Sequence, residues 1–133
     1  CHYLPDEFAH LIGHIRRTDQ LFYESEKELF DVCHDEVGGY LAERWNLPQS
    51  LQNAVRYHHQ PSPAHEHYMI SVIVHTADIF VRAFDYGNGG DNKIPIISEN
   101  AWKSLDLDNT SMVTLFDGIK DEIEKAAVFF QLT

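Results

Sequence analysis

The segment that decides the fold is residues 33–48, which reads Cys-His-Asp-Glu-Val-Gly-Gly-Tyr-Leu-Ala-Glu-Arg-Trp-Asn-Leu-Pro. Its apolar residues recur at four-residue steps, which predicts a helix from about His34 to Trp45 with one buried face. His34 extends that face, so we expect its imidazole to point inward. The two adjacent glycines, Gly38 and Gly39, lower helix propensity, which indicates that another backbone or a ligand comes close to this helix.

The same three- and four-residue spacing runs through almost the whole chain, and no segment alternates long enough to predict a strand. The helical segments are predicted at about 5–17, 24–32, 34–45, 48–59 and 65–86, followed by a short helix capped by Ser98 and a last helix capped by Thr110. We find no internal repeat and no interdomain linker. Residues 1–133 are therefore predicted to form a single all-α domain.

Charge and hydropathy limit the class of partner. Lys and Arg number 10 against 21 Asp and Glu, a formal net charge of -11, so the chain repels phosphate polymers and anionic headgroups. No apolar run approaches the length of a membrane span. We therefore expect no nucleic-acid and no membrane partner. The two cysteines form no CxxC pattern and fit a reducing compartment, which predicts a cytoplasmic protein.

Histidines carry the strongest chemical signal, because the chain has nine of them. His58 follows the apolar residues of the fourth helix at helical spacing, so it is expected to point inward with His59 beside it. The fifth helix has a polar stripe in which Arg82 and Asp85 are expected to face water. Asp78 in that stripe has three alternatives: it faces solvent, it pairs with His75, or it turns toward His34 and His58 as a metal ligand.

His34, His58, His59 and Asp78 together offer imidazoles and a carboxylate from three helices. A divalent metal ion that activates water for phosphate chemistry uses such a mixed set with open coordination positions. An inward histidine is, however, more often a core residue that makes ordinary hydrogen bonds. The residue pattern alone leaves both interpretations open.

Three motifs in fixed order resemble the HDOD family, a bacterial signalling branch of the HD phosphohydrolase superfamily that is also similar to the HD-GYP phosphodiesterases. They are residues 33–48 quoted above, Val-Arg-Tyr-His-His-Gln-Pro at 55–61, and Ile-Val-His-Thr-Ala-Asp at 73–78. The resemblance runs from about Leu4 through the last helix. It implies an HD-domain-like helical bundle.

The resemblance also implies roles for individual residues. His34 matches the histidine of the family's His-x-x-x-Gly helix, His58 and His59 match its paired histidines, and Asp78 matches the aspartate of the following helix. In catalytic relatives these positions hold metal, so a divalent ion (Fe, Mn, Zn or Mg) is the implied cofactor.

The catalytic relatives also have a His-Asp dyad on an earlier helix, which this chain does not match. His10-Leu11-Ile12-Gly13 has leucine where a carboxylate is needed, and His34-Asp35 occupies the His-x-x-x-Gly position instead. The register places the dyad before Cys1, so the chain resembles the C-terminal part of an HDOD domain, incomplete at its N-terminal side. Apolar faces would then be left uncovered unless another copy, the absent segment or a rearrangement covers them.

Three functions follow from these observations. The first is a non-catalytic bacterial signal-transduction or regulatory module of HDOD type, which acts on protein partners or on other domains of a signalling chain and could use a homodimer to cover its core. The second is a metal-dependent phosphohydrolase of nucleotides or cyclic dinucleotides when the complete HD site is present. Gln60-Pro61-Ser62-Pro63 stands where HD-GYP proteins have Gly-Tyr-Pro, which disfavours cyclic dinucleotides. The third is a helical interaction domain whose histidines are only core or surface residues. We expect no catalysis by this chain alone.

Overall fold

The computed structural model describes residues 4–63, 65–86 and 89–131, with side chains through Ala126. These residues form seven helices and no strand, which confirms the predicted all-α class. The helices are α1 (Pro5–Thr18), α2 (Phe22–Phe30), α3 (His34–Arg44), α4 (Gln49–Tyr57), α5 (Tyr68–Ala83), α6 (Glu99–Leu105) and α7 (Asn109–Gln131). None of the helices in the described part of the chain is long and apolar enough to cross a lipid bilayer.

Most helix ends follow the local signals in the sequence. Pro5 opens α1, and the Ser98 hydroxyl accepts a hydrogen bond from the Ala101 backbone N–H at the start of α6. The last helix differs from the prediction, because Asp108 and not Thr110 receives the capping bond. The Asp108 carboxylate accepts from the Ser111 backbone N–H at 2.7 Å, so the helix begins one residue before Thr110.

Helix α3 packs against α4 through its small residues, which corrects the prediction of its buried face. Gly39 and Ala42 are buried. The apolar residues that were expected to face inward are instead 40–69% exposed: Val37, Leu41 and Trp45. A Cβ added to Gly38 would lie 2.7 Å from a Val55 methyl, so the glycines bring the backbone of α3 against α4, as their presence in a helix indicated.

The buried centre of the molecule is helix α5, which packs on α4 and on α6. Val72 is fully buried, and Ile79 and Phe80 are buried on the same helix. Ser71 is buried as well, and its hydroxyl donates to the Asn53 backbone carbonyl at 3.0 Å. Helix α5 therefore packs directly against α4, the helix that His58 and His59 follow.

An apolar groove lies between α1, α2 and α3, with a volume of about 700 Å³. Its lining includes side chains that are roughly two-fifths to three-fifths exposed: Leu4, Phe8, Phe30, Val32, Val37 and Leu41. Water contacts apolar surface there at a cost in free energy, since burial of such surface is the main favourable term in folding.

Candidate metal centre

Three histidines from two helices form one cluster beside α5. His34 is the first residue of α3, while His58 and His59 directly follow α4. One ring nitrogen from each of the three lies within 4.8 Å of the others, and the Nε2 atoms of His34 and His59 are 2.9 Å apart. The structure thus brings together three of the four predicted ligands. His34 is more exposed than predicted, with 42% of its side chain accessible, because it lies at the helix end.

The hydrogen bonds of two of these rings determine which nitrogen is left to bind. The Nδ1–H of His34 donates to the Glu26 carboxylate, and the Nδ1–H of His58 donates to the Val55 carbonyl at 2.7 Å. Glu26 also accepts the backbone N–H of His34 at 3.1 Å, so α2 fixes both the ring and the backbone of this residue. The lone pair of each ring is then on Nε2, in the manner of metal-binding histidines oriented by a carboxylate or carbonyl. The Nε2 of His34 accepts the Nε2–H of His59 at 2.9 Å, a hydrogen bond that a bound metal ion would replace.

His34 and His59 differ in the direction in which their surroundings shift the pKa of the ring. The hydrogen bond to Glu26 raises the pKa of His34, against an opposing effect of burial. Burial and, to a smaller extent, the neighbouring His58 and His34 lower the pKa of His59 to about 3. The His59 ring is therefore neutral at physiological pH, which is the protonation state in which imidazole binds a metal ion.

The donor set fits a divalent metal ion. Two imidazole nitrogens bound to one ion at about 2.1 Å lie about 3.0 to 3.4 Å apart at octahedral or tetrahedral angles. The 2.9 Å between the Nε2 atoms of His34 and His59, a hydrogen bond in this structure, is close to that separation, and the nitrogens of all three rings lie within 4.8 Å of one another. Neutral imidazoles suit Zn, Fe and other borderline ions, whereas Mg prefers oxygen ligands.

Asp78, the fourth predicted ligand, lies near the cluster but is not a member of it. Its negative charge contributes to the raised pKa of His34. Its Oδ2 atom, however, is 3.4 Å from Nε of Arg82 one turn further along α5. Of the alternatives that the sequence left open for Asp78, the structure shows neither full exposure nor a pair with His75.

Arg82 is not the solvent-facing residue that the polar stripe predicted. Its side chain is only 16% exposed, and its Nη1 lies 3.0 and 3.1 Å from the two carboxylate oxygens of Asp91. Asp91 comes from the loop after α5, a segment whose glycines and asparagines gave no indication of a buried charge. Arg82 therefore connects that loop to Asp78.

His75 is a positioning residue that the sequence did not single out. It is buried on α5, and its Nε2 accepts the Ser98 backbone N–H at 3.1 Å. Nδ1 must then carry the proton, which it donates to the His58 carbonyl at 2.7 Å. Burial lowers its pKa, so the ring stays neutral and holds the backbone of the cluster in place. A polar residue within the most apolar helix was the available signal.

A cavity of about 740 Å³ opens beside the cluster, and His59 and Tyr23 form part of its wall. The Tyr23 ring stacks on the His59 ring with 4.4 Å between centroids. The charged lining is mainly acidic, with four carboxylates against two cations: Glu24, Glu28, Asp35 and Glu36 against Lys27 and Arg56. An anionic ligand would meet net repulsion at this wall.

The described residues thus combine an all-α fold with a histidine cluster where α3 begins and α4 ends. Residues 1–61 match the family model of the HDOD domain. This match confirms the predicted resemblance for that segment of the chain. The matched segment includes His34, His58 and His59 and ends before α5.

An uncharacterized protein of Treponema pallidum (strain Nichols) is 42% identical over 57 residues. The similar region covers 41% of this chain and 11% of that protein, so the chain spans a small part of its relative's length. No solved structure matches the chain.

Proposed function

We propose that this chain is a regulatory module of HDOD type that acts in bacterial signal transduction through protein contacts in the cytoplasm and does not turn over a substrate in this form. The observation that carries the proposal is the composition of the cluster. Its three ligand groups are all imidazoles, and within the described residues no carboxylate joins them. The HDOD match of residues 1–61 supplies the signalling context.

A phosphohydrolase would need more than these residues provide. Activation of water for attack on phosphate calls for a metal ion held partly by carboxylates, with negative charge near the nucleophile balanced by cations near the phosphate. Asp78, the carboxylate beside the cluster, is paired with Arg82. The cavity next to His59 has mainly acidic walls, which opposes the binding of a nucleotide or cyclic dinucleotide.

The cluster is proposed to hold a divalent ion with a structural or sensing role. Such an ion, when bound, supplies positive charge and a cross-link between the first turn of α3 and the end of α4. His34 and His58 would each bind through Nε2, because their Nδ1–H groups are already committed to Glu26 and to Val55. Glu26 would hold the His34 ring in the orientation that binding requires.

Protein partners are favoured by the surface. The groove between α1, α2 and α3 exposes apolar side chains that contact with another protein or domain would bury. The net charge of -11 opposes nucleic acid and anionic membranes, and it also opposes close contact between two copies of the chain. We therefore assign the partner to a different domain or protein. Sedimentation of the wild type over a concentration series tests this, since a dimer that Leu41→Glu disperses would identify a second copy instead.

The decisive experiment concerns turnover. The purified chain, loaded in turn with manganese, iron and zinc, is incubated with a panel of phosphodiesters that includes nucleotides and cyclic dinucleotides. We expect no hydrolysis above that of a matched His58→Ala variant, which lacks one member of the cluster. Hydrolysis that the wild type performs and His58→Ala does not would replace the regulatory proposal with the phosphohydrolase.

A further inference from the structure

Arg82 contacts two carboxylates through different nitrogens of its guanidinium, as an ion pair without a hydrogen bond at Nε and with hydrogen bonds at Nη1. Nε is 3.4 Å from Asp78 on the same helix, and Nη1 contacts both oxygens of Asp91 in the following loop. Asp78 is the carboxylate that the family pattern places at the metal site. Its partner in this structure is a side-chain cation from one helical turn away.

The position of Arg82 is fixed by its other partner. Asp91 is 1% exposed, and besides Arg82 it accepts the backbone N–H groups of Phe22 at 2.7 Å and of Lys93 at 2.9 Å. The loop also closes over the guanidinium, since a Cβ added to Gly89 would lie 3.0 Å from its central carbon. Arg82 cannot leave this place without unpairing a buried carboxylate, which is costly.

The charge of Arg82 also affects the binding of a cation. Its guanidinium lies 3.4 Å from Asp78, so its positive field disfavours a cation bound beside that carboxylate and offsets the attraction of Asp78. A metal ion could recruit Asp78 only by separating it from Arg82, and this competition weakens the carboxylate as a ligand.

We propose that Arg82 holds Asp78 out of the histidine cluster and thereby makes the centre an all-imidazole site that takes borderline divalent ions such as Zn²⁺ in preference to Mn²⁺ or Mg²⁺. Arg82 is then a positioning residue for metal specificity. The inference rests on the proposed metal binding by His34, His58 and His59. Its physical basis is ligand type, because hard ions depend on oxygen donors more than zinc does.

Metal affinity of the full chain, measured by competition with a chelator, tests the first part. Asp78→Asn removes the carboxylate and leaves the Arg82–Asp91 pair intact. We expect its zinc affinity to stay within about threefold of the wild type, the same as for the matched control Asp85→Asn on the exposed end of the same segment. A fall of about 10-fold or more, the effect expected for loss of a supporting metal-site residue, would overturn the inference.

The second part uses the double variant Arg82→Gln/Asp91→Asn, which removes both buried charges together and leaves neither unpaired. Asp78 is then free to reach the cluster. We expect manganese affinity to rise about 10-fold, and Asp78→Asn added to the double variant to abolish the gain. Circular dichroism establishes that each variant is folded. An unchanged manganese affinity in the folded double variant would overturn the role of Arg82.

These outcomes separate the two levels of the argument. If the wild type binds no zinc, or if His58→Ala binds it as well as the wild type, the histidine metal site itself is wrong and the inference falls with it. If the wild type binds zinc through His58 but Asp78→Asn loses that binding, only the role assigned to Arg82 is wrong. The Co²⁺ spectrum of the loaded protein gives an independent readout, because it reports whether the ligand set changes when Arg82 is replaced.

Discussion

Two polar clusters lie beside each other at helix α5, and they differ in what holds them together. In the first, formed by Asp78, Arg82 and Asp91, the guanidinium contacts both carboxylates, and Asp91 accepts two backbone N–H groups in addition, although Nε of Arg82 itself makes no hydrogen bond. In the second, formed by His34, His58 and His59, a hydrogen bond of 2.9 Å joins Nε2 of His34 to Nε2 of His59, and one nitrogen of each ring lies within 4.8 Å of the others. The first, the paired cluster, is held by buried opposite charges, whereas the second, the open cluster, brings together ring nitrogens that a metal ion would share.

The difference teaches that residue type alone does not mark a binding site. Asp78 has the chemistry of a ligand, yet its partner is already inside the protein. His75 has the same imidazole as the cluster histidines, but both of its nitrogens are used on backbone groups. What distinguishes the cluster is that a nitrogen from each of its three rings lies close enough to the others to share one ion.

The largest expected effect comes from breaking the paired cluster. Arg82→Gln leaves Asp91 buried without its cation, and we expect a loss of about 3 to 5 kcal/mol in the free energy of unfolding. Urea denaturation followed by circular dichroism measures it. Lys103→Gln is the control, since Lys103 pairs with Glu99 on the surface and its loss should cost less than about 1 kcal/mol. Equal effects of the two substitutions would show that the Arg82 pair is no more than a surface ion pair.

Removing a member of the open cluster should affect metal binding and not folding. His58→Ala takes away one of three nitrogen ligands, and we expect zinc affinity to fall about 100-fold or more, with the unfolding free energy of the metal-free protein little changed. Isothermal titration calorimetry measures the affinity. His10→Ala, at an exposed position of α1, is the matched control and should bind zinc as the wild type does. An equal loss in both variants would contradict the assignment of the site.

A smaller effect is expected from the residue that orients His34. Glu26→Gln keeps the shape of the side chain but removes the charge that holds the His34 Nδ1–H, so zinc affinity should fall about 10-fold. The same substitution removes the interaction that raises the pKa of His34. A titration of the ring by NMR in metal-free protein should show a lower pKa in the variant. No change in that pKa would mean that Glu26 does not contact the ring in solution.

The smallest expected effect is the contribution of His75 to the pH dependence of the free energy of unfolding. Burial lowers the pKa of this ring in the folded state, so at a pH below about 6.5 the unfolded chain takes up a proton that the folded chain excludes. Stability contributed by neutral His75 is therefore present above that pH and is lost as the pH falls through the window below it. Denaturation of the metal-free protein at a series of pH values should show a shallower decline for His75→Gln than for the wild type. Parallel declines would refute this contribution.

The helical architecture was largely predictable, because helix formation depends on local spacing, caps and breakers. Helices α1, α3 and α6 begin where Pro5, the residue after Cys33 and the residue after Ser98 predicted. The buried face of α3 was not predictable from hydrophobicity. Glycines allow closer backbone approach than large side chains. Helix α4 therefore packs against α3 at Gly38 and Gly39, and Val37 remains exposed.

The site was predictable only in part, for a related reason. His34, His58 and His59 stand at positions that the family motif identifies, and the structure brings them together. Helical spacing allows a pair between Asp78 and Arg82 one turn later, but it does not select that pair over the other partners open to Asp78. Nothing in the sequence near Asp91 indicates that this carboxylate reaches back to bury Arg82, because the contact depends on how the loop folds over α5.

The sequence by itself determined an all-helical chain with motifs that resemble the HDOD family and three histidines at the ends of adjacent helices, since periodicity and motif order are local properties. Only the tertiary structure decided which polar groups remain free to bind. Pairing depends on distances between different helices and loops, as for Glu26 with His34, His58 with His75, and Arg82 with Asp91. Those distances distinguish the open cluster of His34, His58 and His59 from the paired cluster of Asp78, Arg82 and Asp91.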